Sequence, residues 1–136
     1  MKKLLAIMVA VSMVPFISVS ASADQRLFYD SVYGYFYGRT TVSDEGGMVT
    51  YRIIRSTTYT ANGQAVPQIA AGTRAYINYE ASPSVQTDNS GYNKESITDQ
   101  NGSTSYVGKH VEGMGFHAVF SSTHPRNDHY TQFSYD

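Results

Sequence analysis

The sequence predicts an all-β fold: one small antiparallel β-sandwich or barrel of about seven strands, preceded by a cleaved secretory signal peptide. Three observations carry this. Apolar positions recur with period two and not 3.6. Turn signals built on Gly, Asn, Asp and Pro punctuate the chain at short intervals. Once the leader is set aside, Leu27 is the only leucine left, while Tyr, Ser and Thr supply twelve residues each. That composition suits pleated, half-wet surfaces and disfavours helices.

The leader is read over residues 1–23. Lys2 and Lys3 give a positive start, and Leu4 to Val14 form an apolar run too short to span a membrane comfortably as a finished helix. Pro15 breaks that run, and Ala21-Ser22-Ala23 offers the small side chains a signal peptidase accepts. Residues 24–136 then form a single domain, secreted to the extracellular space or held at the cell envelope, with no transmembrane anchor after processing. Removing Lys2 and Lys3 leaves eight basic residues against eleven acidic ones, a net charge of −3.

Composition narrows the function further. The absence of cysteine excludes disulfides, a thiolate nucleophile and Cys-ligated metal sites. Without a basic stripe to neutralise phosphates, no nucleic-acid partner is expected. Leu, Ile, Val and Phe are scarce enough in residues 24–136 to suggest disorder, but disorder also expects high net charge and few aromatics. Twelve tyrosines argue that the chain folds and that tyrosine does much of the burying.

The elements follow in order. Leu27 to Val42 reads as one strand with Phe28, Val32, Phe36 and Val42 toward the core and Tyr29, Tyr33, Tyr35 and Tyr37 on the opposite face, a bulge being marked by Gly34 or Gly38. Asp44-Glu45-Gly46-Gly47 is a turn, Met48 to Thr60 a second strand, and Asn62-Gly63 the strongest hairpin signal in the chain. A third strand is expected over Thr73 to Ala81, then a long polar surface loop over Ser82 to Asn93. Strands over Glu95–Asp99 and Ser103–Val111 are joined by Asn101-Gly102; Gly115–Thr123 and His129–Tyr135 close the domain.

Catalytic motifs are absent: there is no G-x-S-x-G elbow, no glycine-rich phosphate loop and no H-E-x-x-H. No cofactor is expected. Asp44 and Glu45 read as a solvated pair in a turn. Of the four histidines, His117 shares parity with Val119 and opposes Met114, Phe116 and Phe120, so it is expected to face outward. His124 and His129 flank the turn Pro125–Asp128, which makes His124, Asp128 and His129 weak candidates for a metal, weighed against ordinary surface histidines. Asp99, Asn101 and Ser103 alternate oxygen-bearing side chains as a calcium loop does. The twelfth position from Asp99 is His110 and not the bidentate Glu such a loop needs, so a β-turn is expected there.

The row Tyr29, Tyr33, Tyr35 and Tyr37 is the candidate ligand-binding feature. Tyrosine offers a flat apolar ring with a hydroxyl handle, suited to sugars, peptides or membrane interfaces. The competing explanation is cross-strand packing that only stabilises the sheet. The expected function is a secreted, non-enzymatic binding module that presents this surface to a cell-wall polymer, a glycan or a protein, with oligomeric state left open. An alternative comes from layout: a signal peptide, a Cys-free β domain and an aromatic C-terminal strand resemble the lactococcin-type bacteriocins over the C-terminal part of the chain. That resemblance implies a secreted antimicrobial or toxin factor, although a net −3 disfavours a cationic membrane disruptor. A hydrolase with a site built from scattered residues is a third possibility.

Overall fold

A computed structural model describes residues 19–136, with side chains from residue 23 onward. Residues 1–18 of the expected leader lie outside the described residues, and the expected cleavage point after Ala23 falls within the first strand. Eight strands form: β1 (Val19–Asp30), β2 (Gly34–Gly46), β3 (Thr50–Thr60), β4 (Val66–Ile77), β5 (Val85–Lys94), β6 (Ser96–Ser103), β7 (Val111–Phe120) and β8 (His129–Tyr135). They make two four-stranded antiparallel sheets, ordered β1-β2-β3-β6 and β5-β4-β7-β8. The sheets face each other as a sandwich, with one strand more than the sequence predicts.

The extra strand and the shifted boundaries have local causes. Residues 27–42 are a hairpin and not one strand, because the Asp30 carboxylate accepts hydrogen bonds from the Val32 and Tyr33 amides (2.8 and 2.9 Å) and nucleates a turn. Gly34 then supplies φ +80. The stretch Ser82–Asn93, expected as a loop, mostly becomes β5. It is an edge strand, so only Val85 and Gly91 along it are fully buried and its polar faces look like loop sequence. Asn62-Gly63 does not join a hairpin. It turns the corner from β3 in one sheet to β4 in the other, with Gly63 at φ +70. Asn101-Gly102 lies inside β6, and the expected turn there is absent: a Cβ on Gly102 would sit 2.9 Å from Ile53 Cγ1, so the missing side chain permits close approach. Asp44 and Glu45 are likewise strand residues, pointing to opposite faces of β2. Asp44 accepts from the buried Arg52 guanidinium (2.8 and 3.0 Å) and from Tyr135 Oη (3.1 Å), and Glu45 pairs with Arg55. Neither is the solvated turn residue expected.

The core has two apolar clusters. Val42, Ile54, Ala75, Ile77, Val85, Val111 and Phe133 fill one end. Phe36, Val66, Ile69, Ala71, Ile97 and Val119 fill the other, with Phe28 and Tyr33 packed against them. Between the clusters runs a layer of buried polar side chains: Thr40, Ser56, Thr58, Thr73, His117 and Thr131. Its hydroxyls bond one another at 2.7–3.1 Å, as for Thr40–Thr131, Ser56–Thr73 and Thr40–Ser56. Burial of hydroxyls is tolerable only when they are paired, and among the described residues no buried side-chain nitrogen or oxygen lacks a partner. Two strand glycines make room for this layer. A Cβ on Gly38 would lie 2.4 Å from the His117 ring, and one on Gly115 would lie 1.9 Å from Thr40 Oγ1. Gly38 therefore marks a close approach and not the predicted bulge.

Candidate binding face

The hairpin β1–β2 decides which tyrosines share a surface. Its register pairs Phe28 with Phe36, Tyr29 with Tyr35 and Leu27 with Tyr37, and β3 continues it by pairing Tyr37 with Tyr59. Leu27, Tyr29, Tyr35, Tyr37 and Tyr59 consequently lie together on the outer face of the first sheet, while Phe28 and Phe36 point inward. Tyr29 and Tyr35 are 60 % and 56 % exposed and Leu27 52 %. Cross-strand contact organises the rings: Tyr29 and Tyr35 sit 5.0 Å apart at 56°, and Tyr37 stacks on Tyr59 at 5.0 Å and 20°. None of these five side chains is a formal charge.

Tyr33 behaves differently. It belongs to the turn, is half-buried, and presents its ring to the edge of His124 at 5.7 Å. It rejoins Tyr35 only across a cleft of about 380 Å³ lined by Tyr33, Gly34, Tyr35, Ala61 and Asn62. Asn62 Oδ1 accepts from the Gln64 amide (3.0 Å), which orients the side-chain amide at the cleft. Val32, expected in the core with Phe28, Phe36 and Val42, is 59 % exposed at the tip of the turn. Tyr59 was legible only with the register of β3 in hand, because its own strand carries no tyrosine row.

The histidines are dispersed. His117 is fully buried, contrary to the outward placement expected from parity: β7 has its alternate residues Phe116 and Phe120 half-exposed on the outer face, under Arg74 and Arg126. Burial holds the His117 imidazole down at about 4, with the Asp24 charge opposing and the His129 charge reinforcing that effect. His124 Nε2 bonds Asp30 Oδ2 (2.8 Å). Burial pushes Asp30 up, but the bonds from His124, Tyr33 and Val32 outweigh it and hold the carboxyl below its usual range. Asp128 is taken by Arg126 (2.7 Å), which also grips Asp88 through two bonds. His129 packs between Phe28 and Phe36 at 4.9 and 5.4 Å. The three metal candidates thus have separate partners, and among the described residues no three His, Cys, Asp or Glu side chains gather as a metal centre requires. His110 stacks on Tyr79 at 4.1 Å and is raised by its bonds to Asp136 and Glu112.

The His124 ring is held by Asp30, and among the described residues no hydroxyl hydrogen-bonds it. Ser121 Oγ accepts from the Thr123 and His124 backbone amides (3.3 and 3.0 Å). Among the described residues no helix is long and apolar enough to cross a membrane. Compared with protein-family models, with curated proteins and with solved structures, the chain matches none.

Proposed function

We propose that this domain is a non-enzymatic binding module, exported by its leader, whose tyrosine face takes up a glycan of the cell surface or wall. The observation that carries the proposal is the uncharged cluster Leu27, Tyr29, Tyr35, Tyr37 and Tyr59, open on one face of a rigid sheet and continuous with the Tyr33–Tyr35–Asn62 cleft. Leu27, Tyr29 and Tyr35 are left exposed in one place beside the half-buried Tyr37 and Tyr59, which costs hydration free energy that burial elsewhere in the fold would have recovered. A saccharide suits the chemistry: ring faces stack on tyrosine, while phenol hydroxyls and the Asn62 amide meet sugar hydroxyls. Neutral side chains also favour a neutral ligand over a polyanion. Strands fix the aromatic positions before binding, so little ordering entropy opposes association.

Retention on purified cell-wall glycan and on glycan arrays tests this. Tyr35→Ala should weaken binding by about 2 kcal/mol, roughly thirtyfold, while leaving the unfolding midpoint nearly unchanged. Retention on protein ligands but on no glycan would move the assignment to a protein partner. Retention on neither, by a folded wild-type chain, would contradict it.

A further inference from the structure

The outer face of the second sheet carries a polar cleft of its own. Strand register builds it: Asp88 on β5, Gly72 on β4 and Phe116 on β7 stand side by side across three paired strands. The middle residue has no side chain, which leaves a floor between the carboxylate and the ring. A Cβ on Gly72 would lie 3.1 Å from Asp88 Oδ1 and 2.7 Å from the Thr87 carbonyl oxygen, so a larger residue would narrow the space. The cleft has a volume of about 290 Å³, at the small end of the range for ligand sites. Arg126 enters from the β7–β8 connection and donates twice to Asp88 (2.8 and 3.0 Å) and once to Asp128 (2.7 Å). Its guanidinium also lies over Phe120 (5.8 Å), whose partner on β4 is Gln68. Arg74 stands on the other side of Gly72, two residues along β4 and on the same face. Its guanidinium is propped on Phe116, 5.4 Å from the ring centroid.

The two ends of the cleft carry unequal charge. At one end a single guanidinium, Arg126, serves two carboxylates, which leaves a surplus of one negative charge. Asp128 Oδ2 accepts no bond among the described residues. At the other end Arg74 is exposed, and among the described residues no carboxylate pairs with it. A guanidinium propped on a ring keeps its N–H fork available, and that fork matches a carboxylate through two parallel bonds. We propose that the cleft binds a small zwitterion, its carboxylate on Arg74 and its ammonium on Asp128 and Asp88, which is the chemistry of a free amino acid or dipeptide. A simple anion would gain Arg74 but face the two carboxylates, and a simple cation would face the reverse. Only a ligand carrying both charges matches both ends. The cleft lies on the opposite side of the sandwich from Tyr29 and Tyr35, so it stands or falls independently of the glycan proposal.

NMR titration of the folded protein with alanine and with alanylalanine tests this, read at the Arg74 Nε–H and at the Gly72 and Asp128 backbone amides. At least one of the two should saturate these resonances with a dissociation constant of about 1 mM, the scale for so small a ligand. The N-acetylated form of that probe keeps only the carboxylate, and its C-terminal amide keeps only the ammonium. Each should bind at least about tenfold more weakly than the parent, the loss expected when one charge-assisted contact goes. Arg74→Gln should erase the preference for the parent over its amide, and Asp128→Asn should narrow the preference over the N-acetylated form. Both side chains reach solvent, so thermal midpoints close to wild type should show that the variants fold. Resonances unmoved by either probe at about ten times that concentration would overturn the proposal. So would an N-acetylated probe that binds as tightly as its parent, or undiminished affinity in Arg74→Gln.

Discussion

Phe36 and Tyr35 are neighbours in the chain and opposites in energetic role. Phe36 is 1 % exposed and packs against Phe28 and His129, so Phe36→Ala should cost about 3–5 kcal/mol. Tyr35 spends more than half its surface in water, and Tyr35→Ala should cost less than about 1 kcal/mol, the size of a lost cross-strand aromatic pair. Urea midpoints of the two variants check the contrast, and equal losses would mean that both faces are buried. Asp44 is a second residue whose weight its neighbourhood sets. It neutralises Arg52, which is 3 % exposed, so Asp44→Ala strands a buried cation and should cost about 3–5 kcal/mol. Asp44→Asn, which keeps one acceptor for the guanidinium, should cost less.

At the scale of elements, faces were more legible than boundaries. Parity correctly separated Phe28, Phe36 and Val42 from Tyr29, Tyr35 and Tyr37 although the turn between them went unread. The reason is geometric: the β1–β2 register pairs residues of like parity, 28 with 36 and 29 with 35, so folding the segment back leaves each residue on the face it had. Only the turn residues escape the rule, and those are Val32 and Tyr33. Parity failed at His117 because a half-polar sandwich gives both faces of a central strand mixed chemistry, and a histidine paired at both nitrogens by Thr58 and Thr131 is at home inside. The edge strand β5 was unreadable because burial, which writes the pattern, scarcely touches it. Gly115 shows what lies beyond pattern altogether. Gly115→Ala forces a methyl into Thr40, Thr131 and Ser56, and should lower the thermal midpoint more than Gly108→Ala, where the open space leaves only the strain of φ +76.

For the molecule as a whole, stability should depend on pH through the core. His117 is held at about 4 in the folded state against 6.5 unfolded. The unfolded chain therefore binds more protons between those values, and folding loses stability as pH falls from 6.5 toward 4, by roughly 3 kcal/mol over the window. Asp99, raised by burial, contributes with the opposite sign, so the slope is seen most cleanly in an Asp99→Asn background by urea unfolding at pH 7 and pH 4.5. Asp44 and Glu45, held low first by their bonds to Arg52 and Arg55, add a further loss only below their ordinary carboxylate range. Leu27, Tyr29, Tyr35, Tyr37 and Tyr59 lie on the outer face of the first sheet and not in the core, so binding and stability should separate. The most direct measurement is therefore the affinity of the folded protein for purified cell-wall glycan at pH 7, comparing wild type with the double variant Tyr29→Ala, Tyr35→Ala. A binding face predicts saturable retention by the wild type, lost in the double variant while its unfolding midpoint stays within about 1 kcal/mol of wild type. Equal retention by both proteins would contradict it.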